Sequence, residues 1–502
     1  MAFPAGWKWL RRGAFSAAVV SGTVVLLRAF DSLRLPDLRA WHRFAPASEV
    51  TAADLTGEFT LEDYRKREEA VFLEVRRDVE SRLRPEDRTA ANRYFEGSPL
   101  HASHFPTNWN RTFELTPERV RGGVLLLHGL TDSPYSMRRL ARIFQERGFY
   151  ALCPRMPGHG TVPAALARVA WEDWAATARL AARHIRARIG PGRPLHVAGY
   201  SSGGALAVRY ALDALDDAAL PRPDRLLVLS PMIGVTRLAG LAKTVSAPGY
   251  MPFFEKSRWI EVRPEYNPFK YNSFPASAGY QTFRLTRSIE SGLAKAVSSG
   301  AIGRMPPVLG FQSLIDSTVS TAAVVHSLFD RLSAGGSELV VFDRNRDATL
   351  STLQPAGSDE VLPRLLPRRP RRYAITIVTN ATPETAAVIA RRTEAGGTEA
   401  RSEAIGLSWP SQTFSLSHIA LPFAPDDPLY GSSPGVGEFY GVRLGTLTPR
   451  GERAALIVPM DQLMRLTCNP FFGYLERRVR EWIAETEADE TSGKLEPGSL
   501  GE

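Results

Sequence analysis

The run Val124-Leu125-Leu126-Leu127 is apolar at four successive positions and is entered through Gly122 and Gly123. Unbroken apolarity over so short a length predicts a strand buried on both faces, as in parallel sheets. The period then changes. Met137, Leu140, Ile143 and Phe144 share one helical face within 136–147, and Gly148 ends that helix as a C-terminal glycine does. Strand and helix go on alternating: a strand at 150–153, a helix at 171–189, a strand at 195–198, a helix at 203–215, and strands at 226–229, 308–311 and 339–342. Such alternation predicts an α/β fold with a mostly parallel, doubly wound sheet and helices on both faces. Upstream, Leu61, Tyr64, Val71, Phe72, Val75, Val79 and Leu83 recur at near-helical spacing in a charge-rich stretch. An amphipathic helix packed on the main domain is expected there.

Two stretches break the alternation. Residues 232–300 are aromatic, with Tyr250, Phe253, Phe254, Trp259, Tyr266, Phe269, Tyr271, Phe274, Tyr280 and Phe283 close together. Residues 346–412 carry an arginine- and proline-rich tract at 363–372, then a strand at 374–379 and an expected helix at 384–392. The resulting division has a candidate membrane anchor or signal at 1–30 and a helical and loop-rich extension at 31–118. The core lies in three pieces, 119–231, 301–345 and 413–485. A cap insertion occupies 232–300, a second insertion 346–412, and a disordered tail 486–502.

Composition narrows the function. A chain of 502 residues accommodates one large catalytic domain with additions. The net charge of +9 would suit an anionic partner, yet no finger, helix-turn-helix or RNA-binding signature accompanies it, so nucleic acid is not expected. The arginines of 363–372 read as a solvated loop. Two cysteines, Cys153 and Cys468, make neither a disulfide framework nor a zinc site. At the N-terminus Lys8, Arg11 and Arg12 precede an uncharged run, 14–27. As a helix it reaches about 21 Å, short of the roughly 30 Å hydrocarbon core. A snorkelling Arg28 extends it to Phe30, and Trp7 and Trp9 suit an interface. Membrane association through 14–30 is therefore expected, as an uncleaved anchor in preference to a cleaved signal or a soluble helix. A cytoplasmic or exported protein is the alternative.

The chemistry centres on Gly199-Tyr200-Ser201-Ser202-Gly203, between an expected strand and an expected helix. A serine on a sharp strand-to-helix turn needs small residues two positions to either side, and Gly199 and Gly203 provide them for Ser201. Centring the motif on Ser202 would put Tyr200 in the first glycine position. A serine hydroxyl needs a base and a group that orients the base, found in this setting in the chain order serine, acid, histidine. Asp316, after the strand at 308, is the preferred acid and Asp343 its rival. His326 and His418 are the histidines beyond Asp316. His326 falls within an expected helix, 321–332, and His418 in a loop, where it can reach over the serine. The amides of Leu130, after the first core strand, and Ser202 would form the oxyanion hole.

His128-Gly129-Leu130, Pro157-Gly158-His159-Gly160, the turn at Ser201, Asp316 and His418 together resemble the α/β-hydrolase superfamily, in its monoacylglycerol lipase and serine aminopeptidase-like branch. The chain is similar to N-terminally extended bacterial members. The resemblance covers about 120–345 and resumes near 415. It departs from the pattern in the separation of Asp316 and His418, which are 102 positions apart. It implies an α/β-hydrolase fold, an aromatic cap over the site, and a serine hydrolase that cleaves small or lipid-like carboxylic esters without metal or organic cofactor. It also places the Gly-His-Gly segment near the site, although a histidine between glycines also serves to brace a loop. Two alternatives stay open. One is peptide hydrolysis by the same triad, with Glu255, Glu261 or Glu265 holding a substrate amine. The other is a non-catalytic binding protein on a hydrolase fold.

Overall fold

The structure, a computed structural model, describes residues 15, 19, 22–27, 29–234, 249, 251–316, 318–347, 353–448, 456–457 and 460–493. Its spine is a ten-stranded sheet. The strands in chain order are β1 (Phe113–Leu115), β2 (Gly122–Leu127), β3 (Phe149–Cys153), β4 (Leu195–Tyr200), β5 (Arg225–Leu229), β6 (Val308–Ser313), β7 (Glu338–Phe342), β8 (Ala374–Asn380), β9 (Ala387–Thr393) and β10 (Ala400–Ser408). They lie side by side as β1-β3-β2-β4-β5-β6-β7-β8-β9-β10. From β3 to β8 every neighbouring pair is parallel, and β1, β9 and β10 run antiparallel at the margins.

The apolar run of β2 now has its reason. Leu125 and Leu127 face one core cluster and Val124 and Leu126 the other, so no position on this central strand meets water. Helices α2 (Arg138–Glu146) and α6 (Phe472–Gly493) cover the Val124 face through Leu140, Phe144, Leu475 and Trp482. Helices α3 (Trp171–Ile189), α4 (Ser202–Asp216) and α5 (Ala276–Ser298) cover the other through Ile185, Leu206 and Leu285. Each such aliphatic side chain removed from water contributes roughly 1.5–3 kcal/mol before ordering costs. The tail expected from 486 instead continues α6 to Gly493.

The N-terminal extension is stapled to this core. Helix α1 (Leu61–Asp78) starts at a capping box in which Thr60 and Asp63 satisfy each other's amides. It buries Leu61, Tyr64, Val71 and Val75 and ends before Leu83. Its buried Glu68 accepts from the Thr112 amide (3.0 Å) and from Arg155 Nε (3.1 Å). Arg155, itself buried, also pairs with Glu49 at 2.8 Å. The Tyr64 hydroxyl donates to the Arg155 carbonyl.

The second insertion extends the sheet. β8 pairs in parallel with β7, and β9 and β10 follow as an antiparallel hairpin. The helix expected at 384–392 is thus mostly strand β9: Val388 and Ala390 are buried against the sheet's covered face, and pairing with β8 outweighs the helical preference of the alanines. The segment 321–331 is a succession of short irregular helical turns rather than one helix. Six of the fourteen positions of the apolar run at 14–27, Tyr250 of the aromatic stretch and residues 494–502 lie outside the described residues. Among those described, no helix is long and apolar enough to cross a membrane.

Candidate active site

Ser201 links β4 to α4 with φ +55° and ψ −116°, a left-handed conformation that costs a non-glycine residue about 1–3 kcal/mol. The surroundings hold it there. Its amide donates to the Leu229 carbonyl (2.9 Å), and its carbonyl accepts from the Met232 amide (3.0 Å). A Cβ on Gly199 would fall 2.2 Å from the Gly203 carbonyl oxygen, and one on Gly203 would fall 2.0 Å from that of Leu127. Both flanking glycines are therefore steric requirements of the turn. Ser202 opens α4, so its amide belongs to the first turn, whose N–H groups lack intrahelical acceptors.

Leu130 follows β2. The preceding His128 is buried, its Nδ1 donating to the Gly129 carbonyl (3.0 Å) and its Nε2 accepting from the Met156 amide (3.0 Å). Burial pushes the imidazole down to about 4. Thr131 adopts φ +64°, and its carbonyl accepts from the Tyr271 amide at 2.9 Å.

Asp316 lies just past β6, with its carboxylate withdrawn from solvent. Oδ1 accepts from the Thr318 and Val319 amides (2.8 and 2.9 Å). Oδ2 accepts from Ser230 Oγ (3.3 Å) and Gln312 Nε2 (3.2 Å). Oδ1 also lies 3.4 Å from His418 Nδ1. His418 begins a short helical turn, His418–Ala420. The approach to it is fixed from below: the Asn345 amide donates to Phe414 O (2.9 Å) and Ser313 Oγ to Leu416 O (2.6 Å). The chain thus leaves for β8–β10 and returns across the ends of β6 and β7 to set His418 against Asp316. Burial, the largest influence, lowers His418 to about 4; Asp316 opposes the shift, and Lys270 and Arg465 add to it. Among the described residues no hydrogen bond joins Ser201 to His418. The elbow strand and the Asp316–His418 pair are linked through β5, since Leu229 holds Ser201 and its neighbour Ser230 holds Asp316.

The other candidates are placed elsewhere. His326 is exposed and pairs with Asp330 at 3.0 Å. Asp343 is committed to Arg346, Thr379 and the Arg344 amide. His159 is buried edge-on to His128 and Trp174, its Nδ1 donating to the Pro157 carbonyl, and burial drives it well below the usual imidazole range. It braces its loop. Glu255 pairs with Arg43, Glu261 with Arg263, and buried Glu265 accepts the Asn272 and Ser273 amides. Of the cap aromatics, Trp259, Phe269 and Tyr271 are buried and Phe253 is exposed. Phe269 stacks on Tyr135 at 4.2 Å, so these rings fasten the cap. Ser230 and Gln312, which hold Asp316, carry no sequence signal of that role.

A model described as the alpha/beta hydrolase family matches residues 124–367. A thermostable monoacylglycerol lipase of Bacillus sp. (strain H-257) is 26% identical over 181 residues, 36% of this chain and 68% of that protein. A carboxylesterase of Bacillus subtilis (strain 168) is 41% identical over 61 residues, 12% of this chain; the chain spans only 25% of that protein's length. Among solved structures, one reported for LipS and LipT, two metagenome-derived lipolytic enzymes, is 23% identical with a TM-score of 0.38, covering 47% of this chain and 88% of that one. The monoacylglycerol lipase of Paleococcus ferrophilus is 20% identical with a TM-score of 0.35, covering 46% and 88%.

Proposed function

We propose, from the match of residues 124–367 to the alpha/beta hydrolase family, that this chain is an α/β hydrolase that cleaves carboxylic esters through an acyl-enzyme formed on Ser201. The observation that carries this reading is the buried Asp316–His418 pair, linked through Leu229 and Ser230 to a serine held in a strained turn. Neutral His418 takes the Ser201 proton as Oγ adds to the ester carbonyl, then protonates the leaving alcohol. Water enters by the reverse sequence, and His418 again accepts and returns the proton. Asp316, fixed by four donors of its own, orients the ring and stabilises its cation. The Leu130 and Ser202 amides receive the oxyanion, each such donor being worth roughly 3 kcal/mol in the transition state.

Ester substrates are favoured by the relatives named above, a monoacylglycerol lipase and a carboxylesterase. Of the cap glutamates, Glu265 is buried on the Asn272 and Ser273 amides, while Glu255 and Glu261 pair with Arg43 and Arg263. Contact with a lipid surface through 14–30 belongs to the same proposal. The test is a p-nitrophenyl ester chain-length series beside aminoacyl arylamides, on the wild type and Ser201→Ala. Ester turnover that falls by at least about 10⁴-fold in the variant is expected. Preference for arylamides, or unchanged turnover in the variant, refutes the proposal.

A further inference from the structure

Asp132 stands two residues beyond Leu130, and its carboxylate folds back on the same loop: a methyl group on Gly129 would meet Asp132 Oδ2 at 2.9 Å. The side chain is buried. A negative charge therefore sits beside the amide that, on the reading above, receives the oxyanion. In a low-dielectric site such a charge opposes the one developing on the substrate oxygen. Among the described residues the one cation paired with Asp132 is Lys270, Nζ lying 3.6 Å from Oδ1. Tyr200 and Tyr430 also face it, and both are neutral phenols.

Lys270 comes from the cap, and the next residue seats the cap on the same loop. The Tyr271 amide binds the carbonyl of Thr131, a residue in left-handed geometry. Its hydroxyl donates to the Gly158 carbonyl (3.1 Å) and accepts from the Thr161 amide (2.7 Å). The charge partner and the backbone clasp of the oxyanion loop are thus consecutive cap residues.

We propose that Lys270 is a positioning residue that neutralises Asp132, so that the oxyanion loop is competent only while cap residues 270–271 are seated on it. This inference rests on the roles given above to Ser201 and Leu130. The experiment compares ester hydrolysis and thermal unfolding for the full chain, Ser201→Ala, Lys270→Met, Lys270→Arg and the double variant Lys270→Met/Asp132→Asn. Lys270→Met is expected to lower kcat by about tenfold or more with KM changed less than about threefold. Lys270→Arg, which keeps the cation, and the double variant, which removes the charge needing it, both recover most of the loss. Wild-type kcat in Lys270→Met overturns the proposal. So does a loss that Asp132→Asn fails to repair, because Lys270 also acts on His418 and such a loss would belong there. An active Ser201→Ala overturns the underlying reading of the site instead, a result distinguishable from both.

Discussion

His418 is the residue whose environment bears most directly on the proposed mechanism. There its neutral form is the proton acceptor, so ester turnover is expected to rise with pH as the imidazole loses its proton. Burial lowers that step to about 4, against the ordinary 6.5. The pH profile of kcat/KM for an ester is accordingly expected to stay flat from neutrality down to pH 5 and to fall with an apparent pKa near 4. A limb centred at 6.5 or above would remove His418 from the role of base. Ser201 was legible at this scale because the need for Gly199 and Gly203 is a local steric fact that spacing records. Ser230 was not, since what makes it matter is Asp316, brought beside it by the pairing of β5 with β6, and Gln312 was not, since only the turn after β6 folds Asp316 back onto it.

At the scale of elements, the N-terminal extension and the second insertion behave differently from added loops. Arg155 binds Glu49 and Glu68 in a buried cluster that joins the extension and α1 to the chain after β3. Removing one member of such a cluster strands the others without a partner. Arg155→Met is expected to destabilise the protein by about 3–5 kcal/mol, read as a lowered midpoint in urea unfolding. A change below about 0.5 kcal/mol would mean that the extension is not coupled to the core there. Helix α1 was legible from its period, because that is a property of neighbouring residues. Strand β9 was not: its alanine-rich sequence suits a helix, and its state is decided by the free edge that β8 offers.

The molecule as a whole carries several imidazoles buried in neutral form. Burial lowers His42 and His196 to about 3, His128 and His418 to about 4, and His159 well below its usual value. In the unfolded chain these rings take up protons below about 6.5, while the native state resists until about 4. The unfolded state thus binds more protons, and stability falls as pH drops from about 6.5 toward 4, by up to about 1.4 kcal/mol per pH unit for each imidazole. Asp132, Asp224 and Glu265, raised by burial, act in the opposite sense but are fewer. Urea midpoints measured from pH 7 to 4.5 should therefore decline, and a flat series would contradict this account.

The sequence by itself determined the alternation of buried strands and helices, the elbow glycines and the candidate serine they frame, because these depend on residues a few positions apart. It also supplied Asp316 and His418 as candidates. Only the tertiary structure decided that the chain between them, which are 102 positions apart, runs out through four further strands, β7 to β10, and back, placing His418 Nδ1 3.4 Å from Asp316. Only the folded chain brought cap Lys270 to Asp132. Side-chain encounters across such separations depend on strand order and loop return, and neither periodicity nor spacing along the chain encodes them.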